Sequence, residues 1–155
     1  MIDTSLSPRW AFYPCRVDGR PASISVDLRF EGRPPPGKDT LFWVRTDMVD
    51  PGPNGTGTAE EAESFAPIEA QIAELTKQFN HIRVGRVRNS DAWLLIHYGP
   101  ASNLIHLQEG VRGALRTFEG RMGETGARPD ADWSYYRDFL CPGPAAREWL
   151  DRRGD

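Results

Sequence analysis

Three histidines and two cysteines are the imidazoles and thiols that this chain offers for metal ligation or thiol chemistry. His81, His97 and His106 form no His-Glu-x-x-His pattern, and Cys15 and Cys141 are too far apart in sequence for zinc-type pairing. His97 stands beside Tyr98 near the end of the apolar run Ala92-Trp-Leu-Leu-Ile96. A strand end is where a site residue can sit, and imidazole and phenol can both move protons. With Asp130 or Asp132 from the late part of the chain, they are the groups from which an acid–base pocket could be assembled. The serines near Ser25 and Phe65 lie in no Gly-x-Ser-x-Gly elbow. Gly52-Pro-Asn-Gly-Thr-Gly57 precedes a helix start but lacks the Gly-Lys-Ser/Thr ending of a phosphate loop, and Glu60, Glu61 and Glu63 would repel phosphate. No catalytic, cofactor-binding or metal-binding residue is therefore assigned, and no cofactor is expected.

Arginine is the other source of chemistry. Arg83, Arg86 and Arg88, with Arg112 and Arg116 further on, suggest a basic patch, and Trp93 and Tyr98 a stacking platform for single-stranded RNA. Strict strand alternation, however, sends Arg83 to one face and Arg86 and Arg88 to the other. The formal net charge is −3, without the basic excess of a nucleic-acid binder. Nucleic acid is not the expected partner.

The elements that must carry these residues follow from period and punctuation. Trp10-Ala-Phe-Tyr13 suits a strand, and Asp18-Gly19 is a hairpin turn signal. Ala22, Ile24, Val26, Leu28 and Phe30 alternate with Ser23, Ser25, Asp27 and Arg29, which predicts a strand with one buried and one wet face. A proline-rich loop leads to a third strand, Leu41 to Met48, apolar on both faces and so expected inside a sheet. Thr58 and Glu61 form a capping box for a helix whose stripe is Phe65, Ile68, Ile72, Leu75 and Phe79. A second hairpin pairs Ile82, Val84 and Val87 with Ala92 to Tyr98 through Arg88-Asn-Ser-Asp91. A second helix follows from about Ser102 to Phe118, striped by Leu104, Leu107, Val111, Leu115 and Phe118. Residues 121–125 are a candidate edge strand, and Asp130 or Asp132 is placed to cap a short helical segment over 133–140, with another turn or two over 145–152.

These elements predict an α+β fold: a largely antiparallel sheet with two main helices on one face, ferredoxin-like or split βαβ, and a short C-terminal helical segment. A length of 155 residues suits a single domain, 1–155. No apolar run reaches membrane-spanning length and the N-terminus lacks the plan of a signal peptide, so a cytoplasmic protein with reduced cysteines is expected.

Five segments together resemble a bacterial family, domain of unknown function 695. They are Trp10 to Asp27, Ile68-Glu69, Val84-Gly-Arg-Val87, Tyr98-Gly99, and Asp132-Trp-Ser-Tyr-Tyr-Arg-Asp-Phe-Leu-Cys-Pro142. The resemblance implies a compact α+β fold and a bacterial cytoplasmic protein, and carries over no catalytic residue. That family's domain is sometimes joined to, and is similar in outline to, protein inhibitors of ribonuclease E. Trp133, Tyr135, Tyr136 and Trp149 crowd a short stretch, and such residues are common interface anchors. The expected function is a non-catalytic binding or regulatory domain that contacts another protein. The alternative is a small enzyme or ligand-binding domain with its pocket near His97 and Tyr98.

Overall fold

The computed structural model describes residues 7–118 and 122–153. β1 (Trp10–Val17), β2 (Arg20–Asp27), β3 (Thr40–Asp47), β4 (Ile82–Asn89), β5 (Ala92–Gly99) and β6 (Gly123–Pro129) form one sheet in the order β1-β2-β4-β5-β3-β6. Every neighbouring pair is antiparallel. β3 and β4 both run against β5, which lies between them, with α1 (Ala59–Gln78) as the crossover. β5 and β6 likewise flank β3, with α2 (Leu104–Leu115) as the crossover. Residues 40–129 are thus two interlocked split βαβ units, and the β1–β2 hairpin lengthens the sheet beyond β4. Arg121, the first residue of the candidate edge strand 121–125, lies outside the described residues; the strand itself is β6.

Local chemistry accounts for the two hairpins. Asp18 and Gly19 both take positive φ (52° and 78°), as a two-residue turn of primed type requires. Ser90 and Asp91 do the same at 51° and 65°, joining β4 to β5. β2 ends earlier than its alternation predicts. Leu28–Phe30 is a 3-10 turn, and its cap is Asp27, which was expected to be wet. Asp27 is instead buried, accepting the backbone N–H groups of Arg9 and Arg29 and the Arg29 side chain.

Both faces of the sheet are covered. On one, Phe65, Ile68 and Ile72 of α1 and Leu107, Val111 and Leu115 of α2 pack on Phe42, Val44, Trp93 and Leu95. Each such aliphatic side chain contributes about 1.5–3 kcal/mol on full burial, and Phe65 stacks flat on Trp93 with centroids 4.2 Å apart. The capping box is half formed. Thr58 Oγ1 accepts from the Glu61 N–H, but the buried Glu61 carboxylate turns away to accept from Val49 N, Asp50 N and Trp93 Nε1.

On the other face, Tyr13, Ile24, Val26, Leu41, Ile96 and Tyr98 meet Trp133, Tyr136 and Leu140, with Leu150 from α3 (Pro144–Arg152). The expected 133–140 helix is a π-helical turn, Tyr136–Leu140. Trp133 and Tyr136 are therefore core anchors, with Tyr135 and Trp149 half-buried beside them. That answers why the chain carries so many late aromatics: they close the face that the two main helices leave open. Among the described residues, no helix is long and apolar enough to cross a membrane.

Candidate functional site

β4 departs from strict alternation, and the departure builds the site. Between Arg83 and Gly85 the register against β5 shifts by one residue: Arg83 pairs with His97, Gly85 with Ile96 and Arg86 with Leu95. Such a bulge puts two consecutive residues on one face. Val84 packs in the core beneath the C-terminal segment, and a Cβ on Gly85 would stand 2.8 Å from Leu140 Cδ1 on that same face. Arg83, Arg86 and Arg88 consequently all face α1, where alternation alone had divided them. Glu69 of α1 receives two of them: Arg83 Nη1 donates to Oε2 at 3.1 Å and Arg86 Nη1 to Oε1 at 2.9 Å.

The register extends this cluster toward the sheet edge. Phe12 pairs with Ser25, and Ser25 with Arg86, so one row crosses three strands. At a strand spacing of about 4.8 Å, Phe12 and Arg86 stand roughly 10 Å apart with a small hydroxyl between them. The result is a cleft of about 360 Å³ lined by Trp10, Ala11, Phe12, Ser25, Glu69, Arg83 and Arg86. Trp10 and Phe12 share one face of β1 and are 51% and 45% exposed. Arg83 and Arg86 are 17% and 31% exposed, so Arg86 presents the larger cationic surface. Arg88 borders the group, donating to Ser23 Oγ at 3.0 Å and lying over the rings of Phe12 and Trp93.

His97 serves this cluster from beneath. It is fully buried, with Nδ1 3.2 Å from the Phe42 carbonyl and Nε2 3.0 Å from Arg83 Nε. A carbonyl can only accept, so Nδ1 carries the proton and Nε2 accepts from the guanidinium. Burial, reinforced by the Arg83 charge, holds its pKa well below the usual 6.5. His97 is a neutral acceptor that fixes Arg83.

Tyr98 points to the opposite face. Its hydroxyl donates to Asp130 Oδ2 at 2.6 Å and accepts from Tyr136 N at 3.2 Å. Asp130 also accepts from Ser134 N, Ser134 Oγ and Tyr135 N, so it caps the C-terminal segment. Burial alone would raise its pKa; the hydrogen bonds from Tyr98, Ser134 and Tyr135 outweigh that and hold the carboxyl at about 2. Trp133 stacks on Tyr98 at 4.1 Å and keeps a positive φ of 54°, a sparsely populated conformation for a bulky residue. This cluster locks the segment to the sheet. His97, Tyr98 and Asp130 do not converge on one pocket, and Asp132 is exposed.

The remaining sequence candidates are placed as follows. Trp93 and Tyr98 are both buried, on opposite faces, and form no stacking platform. Arg112 and Arg116 line a separate hollow with Met122 and Gly123 at the β6 edge, across the sheet from β4. His81 is buried against Pro100 O at 3.1 Å, and burial takes its pKa down to about 4. His106 is exposed on α2. Burial pushes the Cys15 thiol up and the Cys141 thiol to about 11, so neither is a ready nucleophile. Among the described residues no three His, Cys, Asp or Glu side chains gather as metal ligands.

Residues 8–141 match a family model described as a family of unknown function, DUF695. The chain belongs to that family. The DUF695 match takes in all six strands, both crossover helices and the Tyr98–Asp130 lock, and stops before α3. No curated protein and no solved structure matches the chain.

Trp10, Phe12 and Glu69 were not singled out as site residues by sequence reasoning. The period of two in β1 does separate Trp10 and Phe12 from the buried Tyr13. The Val84-to-Val87 spacing of three, with a glycine between, is the mark of a bulge.

Proposed function

We infer that this DUF695 chain is a non-catalytic binding domain that acts on another protein, and that the Trp10–Arg86 cleft is its contact surface. The observation that carries the reading is a pair of half-exposed aromatic side chains beside partly buried arginines in an open concavity. Trp and Arg are the side chains most often found as energetic anchors of interfaces. Supporting it, the groups best suited to acid–base work are committed elsewhere: His97 to Arg83, and Tyr98 and Asp130 to each other. The split βαβ units, which we read as a ferredoxin-like core, supply a rigid floor, and the β1–β2 hairpin supplies the wall. Two free thiols suit the reducing interior of a bacterial cell, where we place the protein.

The test is retention of bacterial proteins on the immobilised chain. Binding by the wild type should be lost in the Trp10→Ala/Phe12→Ala double variant and kept by Ile105→Ala, which removes an exposed side chain of α2. Identical retention by all three would refute the assignment.

A further inference from the structure

We propose that the cleft is an oxyanion site: it receives a carboxylate or phosphate group carried on a flat apolar body about the size of one aromatic ring. The proposal rests on the reading of this cleft as the binding surface and names the chemistry that it selects.

Three guanidinium groups, Arg83, Arg86 and Arg88, share one face, and Glu69 is the acid that answers them. Burial disfavours the charged forms of Arg83 and Arg88, and the neighbouring Arg86 guanidinium works in the same direction on both. Acceptors are short as well. Arg83 Nη2 and Arg86 Nε are buried donors without a partner, although Arg83 already uses His97 and Glu69 and Arg86 already uses Glu69. Buried donors are ordinarily satisfied, so a cluster in this state is incomplete. An incoming anion supplies the negative charge that the cluster lacks, and its oxygens accept from the exposed edge of Arg86, with the Ser25 hydroxyl beside it in the floor. Guanidinium and oxyanion match in geometry and make charge-assisted hydrogen bonds.

The guanidinium groups are also held in place before any ligand arrives. Arg86 and Arg88 both lie over the Trp93 ring at 5.6 Å, and Arg83 is fixed by the neutral His97. Pre-organised donors cost less to recruit on binding. The opposite wall is apolar: Trp10 and Phe12 stand two residues apart on one strand face. A volume of about 360 Å³ lies at the small end of ligand pockets. That size fits a ring and its acidic group, such as an aromatic acid, a phosphorylated tyrosine-like group or an acidic chain terminus.

The experiment titrates the full chain with benzoate, phenyl phosphate, inorganic phosphate and benzylamine, following the Arg side-chain N–H signals by NMR. Benzoate or phenyl phosphate should shift the Arg86 signal with a Kd below ~1 mM, several-fold tighter than inorganic phosphate, and benzylamine should leave it unmoved. Whichever of the first two binds tighter identifies the carboxylate or the phosphate as the source. Arg86→Gln should weaken the binding at least tenfold. Trp10→Ala, a surface change that leaves the fold intact, should erase the advantage of the ring-bearing anions while sparing inorganic phosphate. Equal binding of benzylamine, or no Arg86 response to any anion, overturns the proposal. Should the Trp10→Ala/Phe12→Ala variant still lose protein partners in that event, the contact surface stands and only its anion chemistry is refuted.

Discussion

Lowering the pH from 7.5 to 5 should destabilise this protein steeply, through two buried histidines. His81 and His97 are both held neutral in the folded chain, His81 with a pKa near 4 and His97 well below the usual 6.5. Burial is the main cause for each; a nearby cation, Lys38 for His81 and Arg83 for His97, works in the same direction. Unfolded, each imidazole protonates near 6.5. The unfolded chain therefore takes up more protons than the folded one as the pH falls, and stability falls with it. The loss begins near pH 6.5 and, for His81, is complete only below about 4. At pH 5, about 1.5 pH units below the unfolded value, His81 favours the unfolded state by ~2 kcal/mol at 1.36 kcal/mol per unit, and His97 adds to the loss in the same direction. The His81 share alone is a large fraction of a domain total that is typically about 5–15 kcal/mol.

Urea unfolding at pH 7.5, 6.5, 5.5 and 5.0 measures this directly. The window is free of interference from Asp130: its carboxyl sits near 2 when folded and near 3.8 when unfolded, so its stabilisation is lost progressively as the pH falls from about 4 to about 2. His97→Gln removes one of the two titrating groups and should lessen the loss between pH 7.5 and 5. A wild-type change smaller than about 1 kcal/mol would show that these rings are charged or exposed in solution, and would remove the basis for His97 as the acceptor that fixes Arg83.

Three further changes probe the surrounding architecture. Glu61→Ala strips acceptors from Val49 N, Asp50 N and Trp93 Nε1 and should cost ~3 kcal/mol in chemical unfolding. Glu69→Gln leaves Arg83 and Arg86 without their shared counter-charge. Because all three side chains keep some solvent contact, the expected loss is only about 1–2 kcal/mol, accompanied by tighter oxyanion binding in the NMR titration. Tyr98→Phe removes the hydroxyl that donates to Asp130 and accepts from Tyr136 N. It should cost ~2 kcal/mol and raise proteolytic cleavage in the C-terminal segment ahead of global unfolding.

The strands and helices were legible because their signals are local. Alternation in β2, the Asp18-Gly19 turn, and the Phe65–Ile68–Ile72 stripe each specify an element without reference to the rest of the chain. The antiparallel sheet with both main helices on one face followed from them. The covering of the second face did not. That the late aromatics belong to the core depends on Asp130 finding Tyr98, 32 positions earlier, and Tyr13 finding the Leu140 carbonyl. Contacts between distant segments leave no periodic trace.

The cleft lies between these extremes, and one residue decides it. Without the bulge, β4 would hold Arg83 beneath the C-terminal segment, away from Glu69 and His97, and its charge would lie among Tyr13, Leu140 and Trp133. Burial of an unpaired guanidinium costs several kcal/mol. The two-valine spacing around Gly85 removes that penalty by turning Arg83 to the face where α1 carries Glu69. The same insertion leaves Val84 and Gly85 together on the apolar face, where a side chain larger than glycine at 85 would meet Leu140. Apolar packing on one side of β4 and charge clustering on the other are thus a single requirement on the backbone. A chain that satisfied only the first would keep its fold and lose its cleft.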